Sequence, residues 1–355
     1  MKTGRSFALI SAALFSSGVS SSAQALTINL FDTGGVEEGS AAYTGFRAAA
    51  DYWESVLLDD VTLNFSVGFS STGFAPTTLG STSSASGQKS TTSWKTALTA
   101  DATTALDASV VSHLPNFSNT NVVLNSTVQK ALGLYTGSAN ASDATIRFNS
   151  ARAFDFDTRD GFQTASSDFI SVAVHEMGHA LGFTSSVGQN TTLNSRPTNI
   201  DMFRYKNGAW NNTWGGNPYF SIDGGATEFM GNAGFSAGPD GFQTSHWREG
   251  SRIHDGVSCT ILTEPQVGIL DPTGGICQEG IVTAQDLAIF DAMGWNLNQD
   301  ILKNLSYKKS TSSILRDYLR STGAIPEAST WMTMILGFGL VGATMRSRKT
   351  SVTFA

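Results

Sequence analysis

The sequence predicts an α+β body in which a sheet is backed by helices, and three observations carry that expectation. The chain opens with a strand, helix, strand succession. Two later segments show helical periodicity with caps written into the sequence. Thirty-six glycines and a Ser/Thr-rich stretch from Ser70 to Thr104 demand many turns, which disfavours a helical bundle. At 355 residues, 40% hydrophobic and 14% charged, the chain is long enough to bury a sizeable core.

In chain order, Lys2 and Arg5 precede an apolar run from Phe7 to Phe15 and an Ala23-Gln24-Ala25 cleavage pattern, so residues 1–25 are expected to be a secretory signal peptide. "LTINLFDT" then alternates as a strand. "AAYTGFRAAADYWESVLLDD" sets Phe46, Ala49, Ala50, Trp53 and Leu57 at helical spacing, and "VTLNFSVGFSSTGF" reads as a second strand. The Ser/Thr-rich segment reads as loop or edge strands. "ATIRFNSARAFDFD" is a further strand leading into "DFDTRDG", whose Asp155, Asp157 and Asp160 form a candidate calcium (Ca2+) loop. An Asp-rich turn with local backbone hydrogen bonds is the alternative there.

The helix expected from Asp168, capped by Ser167 or Asp168, carries "SVAVHEMGHALGFTSSV". Ile170, Val174, Met177 and Leu181 make its buried stripe. His175 and His179, one turn apart, then project together from an adjacent face, and Gly182 lets the chain leave in a left-handed conformation. Two imidazoles so spaced reach one zinc (Zn2+) at ~2.0–2.1 Å, and Glu176 between them is a general base for water. A structural histidine pair is the bland alternative.

A catalytic zinc has three protein ligands and an open position. Ser185 stands where an H-E-x-x-H-x-x-G-x-x-H motif would supply the third, and a hydroxyl is outside zinc's usual ligand set. His113, His246, His254, Asp201 and Glu228 remain as candidates. His113 lies in a polar region and reads as a surface residue, whereas Asp201 matches the pattern in which a downstream carboxylate completes an H-E-x-x-H site.

His179 with Gly182, a long insertion, Ser245-His246-Trp247, a "GILDP" turn and "TAQDLAIFDAMGW" together resemble the leishmanolysin-type branch of the metzincin metallopeptidases. The resemblance spans about Asp168 to Leu181 and Thr244 to Trp295. It implies a metzincin-like zinc peptidase domain: a twisted sheet, an active-site helix and a C-terminal helical subdomain. It also implies His175, His179 and His246 as ligands, Glu176 as base, and a turn of Leu270, Asp271 and Pro272 beneath the metal; from the residues alone, Asp201 and His254 stay as alternatives for the third ligand. Leu270 replaces the methionine usual in that turn, filling similar apolar volume. Thr283 and Asp286 open the last helix as a capping box and Gly294 closes it.

Cys259 and Cys277, an even pair in a chain expected to be exported, are expected to form a disulfide worth ~3 kcal/mol. The segment after Trp295 turns polar and Lys-rich with one short amphipathic helix in "SSILRDYLRST", and reads as a spacer. The expected organisation is therefore signal peptide 1–25, zinc peptidase domain 26–300, linker 301–324 and tail 325–355. In the tail, Pro326-Glu327, an uncharged stretch from Ala328 to Met345 and the cluster Arg346, Arg348 and Lys349 resemble a PEP-CTERM sorting signal. Ala328 stands in place of that signal's second proline. The resemblance implies membrane insertion before processing, an exosortase-type partner, and export to the surface or extracellular matrix of a Gram-negative bacterium. The uncharged stretch is marginal against the ~20 residues that span a bilayer.

The chain carries a formal charge of −7, and loss of its basic ends makes the body more acidic, which argues against nucleic acid as a partner. These readings converge on a secreted zinc endopeptidase acting on protein or peptide substrates. A non-catalytic matrix or adhesive protein with a structural zinc is the reading from another class, and Glu176 discriminates, because a structural site needs no base between its ligands.

Overall fold

In the computed structural model, residues 26–324 are described except 117–119, 162, 193–194, 251–265 and 277. The expected signal peptide and sorting tail, His254, Cys259 and Cys277 lie outside the described residues. Among the described residues no helix is long and apolar enough to cross a membrane.

The opening runs as the periodicity requires: β1 (Thr27–Asp32), α1 (Ala41–Val56) and β2 (Thr62–Phe69). Ser40 caps α1 by accepting from the Tyr43 amide at 3.0 Å. The Ser/Thr-rich stretch then gives β3 (Gly80–Ser84), β4 (Ser86–Ser90) and a helix the pattern did not announce, α2 (Thr91–Asp101). After α3 (Ala105–Ser112), β5 (Asn121–Asn125) and α4 (Ser126–Ala131) comes β6 (Ala144–Phe148). Strands β1, β2 and β6 are parallel neighbours. Strand β3 joins β6 antiparallel and ends the sheet, in the order β1-β2-β6-β3. The fold thus mixes helices and sheets, compatible with an α+β reading.

Short β7 (Phe154–Asp155) and β8 (Ser167–Asp168) pair parallel and deliver the chain to α5 (Phe169–Ala180), the helix of the His-Glu motif. Helices α1 and α5 pack side by side. A Cβ on Gly45 would come 2.3 Å from the Phe169 ring, so the glycine permits this approach. Phe169 in turn meets the rings of Phe46, Phe148, Phe154 and Phe156 at centroid distances of 4.7–5.4 Å. Phe46, Phe148 and Phe169 are fully buried, each contributing about 1.5–3 kcal/mol, and Phe154 and Phe156 are partly buried against them.

"NIDMFRY" forms a 3-10 turn at Asn199–Phe203 followed by β9 (Arg204–Lys206), which pairs with β10 (Ala209–Trp210) and β11 (Tyr219–Phe220). Then β12 (Ile281–Thr283) leads into α6 (Ala284–Met293), with the Thr283–Asp286 capping box and a left-handed Gly294 (φ 100°) as the sequence indicates.

The spacer reading of 301–324 is corrected. Strand β13 (Lys308–Ser310) pairs with β12, and α7 (Thr311–Ser321) packs on α1 and α5 with Ile314 and Leu315 buried. The lysines lie before the helix, Lys303 in a 3-10 turn and Lys308 and Lys309 on β13, and the polar residues of α7 form the outer face of an amphipathic helix whose inner face completes the core.

Candidate metal centre

Helix α5 is fixed at both ends. Asp168 caps it by accepting from the Ser171 amide at 3.0 Å, and Ile170, Val174, Met177 and Leu181 are fully buried. At the other end, backbone carbonyls that a helix leaves without partners are taken up by side chains from neighbouring elements. Thr127 donates to Ala180 O at 2.8 Å, the Trp295 indole to Leu181 O at 3.0 Å, and Asn125 to His179 O at 3.3 Å. Gly182 exits with φ 128°, and a Cβ there would lie 2.5 Å from Val128.

His175, His179 and His246 converge, their ligand atoms all within 4.8 Å of one another. Nε2 of His179 is 3.0 Å from Nε2 of His175 and 3.2 Å from Nε2 of His246. Each ring turns its other nitrogen to a backbone carbonyl: His175 Nδ1 to Ile269 O at 2.8 Å, His179 Nδ1 to Phe183 O at 2.7 Å, His246 Nδ1 to Gln243 O at 3.1 Å. A carbonyl accepts only, so each Nδ1 carries the proton and each Nε2 presents a lone pair inward. Three lone pairs facing one another repel unless a cation lies among them. Ligands at ~2.0–2.1 Å in a tetrahedron are roughly 3.3 Å apart, close to the spacing seen, so the donor set suits zinc.

Electrostatics agree with neutral rings. Burial lowers His175 to about 3, helped by neighbouring His179 and opposed by the Ile269 carbonyl. Burial likewise lowers His179 to about 4, opposed by the Phe183 carbonyl. His246 is held well below its usual value by burial and by the other two histidines. A ligand must be deprotonated to bind metal, and these rings are so without cost at neutral pH.

The segment bearing His246 is tied to the helix and to the turn below. The Trp247 amide donates to Leu270 O at 3.0 Å, and its indole N–H donates to Asp286 Oδ1 at 2.8 Å. Asp286 also accepts from the Ile269 amide at 2.9 Å and the Thr283 amide at 2.8 Å. One buried carboxylate thereby joins the cap of α6, the turn and the His246 segment. Leu270 is fully buried under α5, where a Cβ on Gly178 would meet it at 2.9 Å. Asp271 closes the turn by accepting from the Gly268 and Val267 amides, and burial pushes its carboxyl well up. Pro272 lines the cleft beside it.

Glu176 faces a cleft of about 630 Å³ that the three histidines also line. Burial raises its carboxyl to about 7, and the Thr82 hydroxyl, donating to Oε2 at 2.7 Å, works against that rise. Thr82 stands on β3, the edge strand, whose Gly80 also borders the cleft. A Cβ on Gly80 would come 2.9 Å from Glu176 Oε1, so the bare backbone leaves room for the carboxylate.

Other expected residues are placed elsewhere. Asp201 is fully buried, its oxygens taken by Ser185, Ser186 and Thr198, and it is not in the histidine cluster. His113 is exposed, bonded to Ser109 O through Nδ1. The carboxylates of Asp155, Asp157 and Asp160 do not converge: Asp157 forms a two-point pair with Arg159, and Asp155 Oδ1 accepts from the Asp157 amide while its Oδ2 is buried without a partner. Thr82 and Asp286 as positioning groups were missed as site residues, although the capping box at 283–286 announced where Asp286 lies. Comparison with protein-family models, with curated proteins and with solved structures finds no match.

Proposed function

We propose that the chain is a zinc-dependent endopeptidase of the metzincin type. The observation that carries this reading is the set of three inward Nε2 lone pairs beside the Glu176 carboxylate, at the wall of an open cleft. Zinc bound by His175, His179 and His246 would supply Lewis acidity, acidifying a water at its open position. Glu176, with a carboxyl raised to about 7, takes up the proton of the attacking water and returns it to the leaving amine. Thr82 holds the carboxylate in place for both transfers. The free edge of β3 offers an extended peptide backbone pairing along the cleft. Structural zinc sites are closed by four protein ligands, and no fourth joins the three histidines among the described residues, which favours the catalytic reading over the structural one.

Export across the inner membrane and processing of tail 325–355 by an exosortase-type enzyme belong to the same proposal and rest on the sequence. The test is zinc stoichiometry and casein hydrolysis by the zinc-loaded chain and its Glu176→Ala and His246→Ala variants. Glu176→Ala should keep one zinc and lose hydrolysis, and His246→Ala should lose both. Unchanged hydrolysis by Glu176→Ala refutes the mechanism.

A further inference from the structure

A second cavity of about 380 Å³ adjoins the cleft and shares with it Thr77, Leu79 and Gly274. Among the described residues lining the two cavities, Arg152 is the one arginine or lysine. Among the described residues it has no ion-pair partner, and its one side-chain hydrogen bond goes from Nη1 to Pro76 O at 3.3 Å, beside Thr77 of the shared wall. The position is built rather than incidental. Asn149, 3% exposed, extends the β3–β6 ladder by donating its amide to Leu79 O at 2.9 Å, and its side chain donates to Thr78 O at 3.1 Å. The same residue accepts from the Ala151 amide through Oδ1 and from the Arg152 amide through its carbonyl, at 3.1 and 3.0 Å. The turn that carries Arg152 is therefore locked to the strand that borders the cleft, while the opposite wall, Gly274 to Ile276, is bridged to Ser167.

We propose that this second cavity is a substrate subsite in which Arg152 takes up a carboxylate of an extended peptide, from an Asp or Glu side chain or from the peptide's C-terminus. The inference rests on the peptidase reading for the peptide and on the cavity itself for the charge. A guanidinium tied by one N–H keeps further donors for a carboxylate, and among the described residues no acidic side chain lines the second cavity to compete. A peptide paired along β3 and running past Leu79 passes directly over it. The main cleft, with Glu176, Asp271 and Glu279 in its walls, offers a substrate carboxylate no such partner among the described residues.

The experiment uses fluorescein-labelled octapeptides of one sequence with Glu, Gln or Lys moved through each position, each made with a free and an amidated C-terminus. Hydrolysis is read as kcat/KM and binding as fluorescence anisotropy, with the zinc-loaded chain and with Arg152→Gln and Arg152→Glu. Glu should be preferred over Gln at one position by roughly threefold to fivefold, the range of an exposed charge pair. The preference should fall with added salt, approach unity in Arg152→Gln and turn toward Lys in Arg152→Glu. A preference that follows the free C-terminus instead of a side chain identifies the second source of the same carboxylate. Selective binding without cleavage upholds the subsite and overturns the peptidase reading. No carboxylate preference in either assay, or one that survives Arg152→Gln, overturns the subsite.

Discussion

The Ser185 amide donates to Ser245 Oγ at 2.9 Å, joining the residue at the expected third-ligand position of the motif to the residue that precedes the third histidine. Ser185 Oγ donates in turn to Asp201 Oδ1 at 2.5 Å. A serine at this position thus works as a bracket. It fixes the chain leaving α5 against the incoming His246 segment, and Asp201 secures the bracket from behind.

That arrangement separates the two carriers proposed for the third ligand. Asp201→Ala should retain one zinc per chain, because His246 keeps its own bonds through Gln243 and Trp247. It should lose roughly 1–3 kcal/mol of stability, since the buried amide and hydroxyl of Thr198 lose their acceptor. Zinc stoichiometry with urea denaturation tests both halves, and loss of zinc with stability intact would make Asp201 the ligand.

Thr82 gives a prediction about chemistry rather than stability. Thr82→Val keeps the shape of the side chain and removes the hydroxyl that holds Glu176 Oε2. It should lower kcat by roughly tenfold, a part of the ~10²–10⁴-fold that a positioned proton acceptor contributes, with KM and zinc content little changed. Thr82→Ser should recover most of the rate. A drop in KM-controlled rate alone, or no rescue by serine, would mean that Thr82 serves only the packing of β3.

What the sequence made legible follows the strength of its signals. Helix α5 and its two histidines, the exit at Gly182 and the capped α6 all rest on spacing and caps local to the chain. The arrival of His246 needed a family resemblance, because nothing local links it to a helix so far upstream. Strand β3 was legible only as loop or edge strand, since its residues are Gly, Ser and Thr, with no hydrophobic alternation to fix its bounds or its place beside the cleft. The docking of α7 was hidden for a related reason: only Ile314 and Leu315 are deeply buried hydrophobics in an otherwise polar helix.

A buried acidic cluster predicts how stability depends on pH. Burial raises Asp59 and Asp101 to about 6, while burial and the nearby Asp107 carboxylate raise Asp291 to about 8, the Thr104 hydroxyl opposing. None of these has an ion-pair partner among the described residues; Lys303 is paired with Asp300. A carboxyl raised in the folded state stabilises it fully below the unfolded value near 4, and that contribution is lost as pH rises through 8. Asp291→Asn mimics the protonated form. It should match the parent near pH 4 and exceed it at pH 8, the gap opening by at most about 1.4 kcal/mol per pH unit. Denaturation of the zinc-loaded forms across pH 4–8 checks this, and parallel curves would refute it.

Helix α7 belongs to the folded body, and its removal should be felt at α5, the helix of the His-Glu motif. Thr311 donates to Asp168 Oδ2, the same carboxylate whose Oδ1 caps α5. The Thr311 amide donates to Gly280 O at 3.0 Å, and Tyr307 meets Tyr52 of α1 hydroxyl to hydroxyl at 3.1 Å. Ile314→Ala should cost about 2–5 kcal/mol, as truncation of a fully buried aliphatic side chain does. A chain ending at residue 300 loses β13 and α7 together, leaves Asp168 Oδ2 without its partner and uncovers apolar surface on α1 and α5. It should melt well below a chain ending at residue 324. Equal melting temperatures would return 301–324 to the role of a spacer.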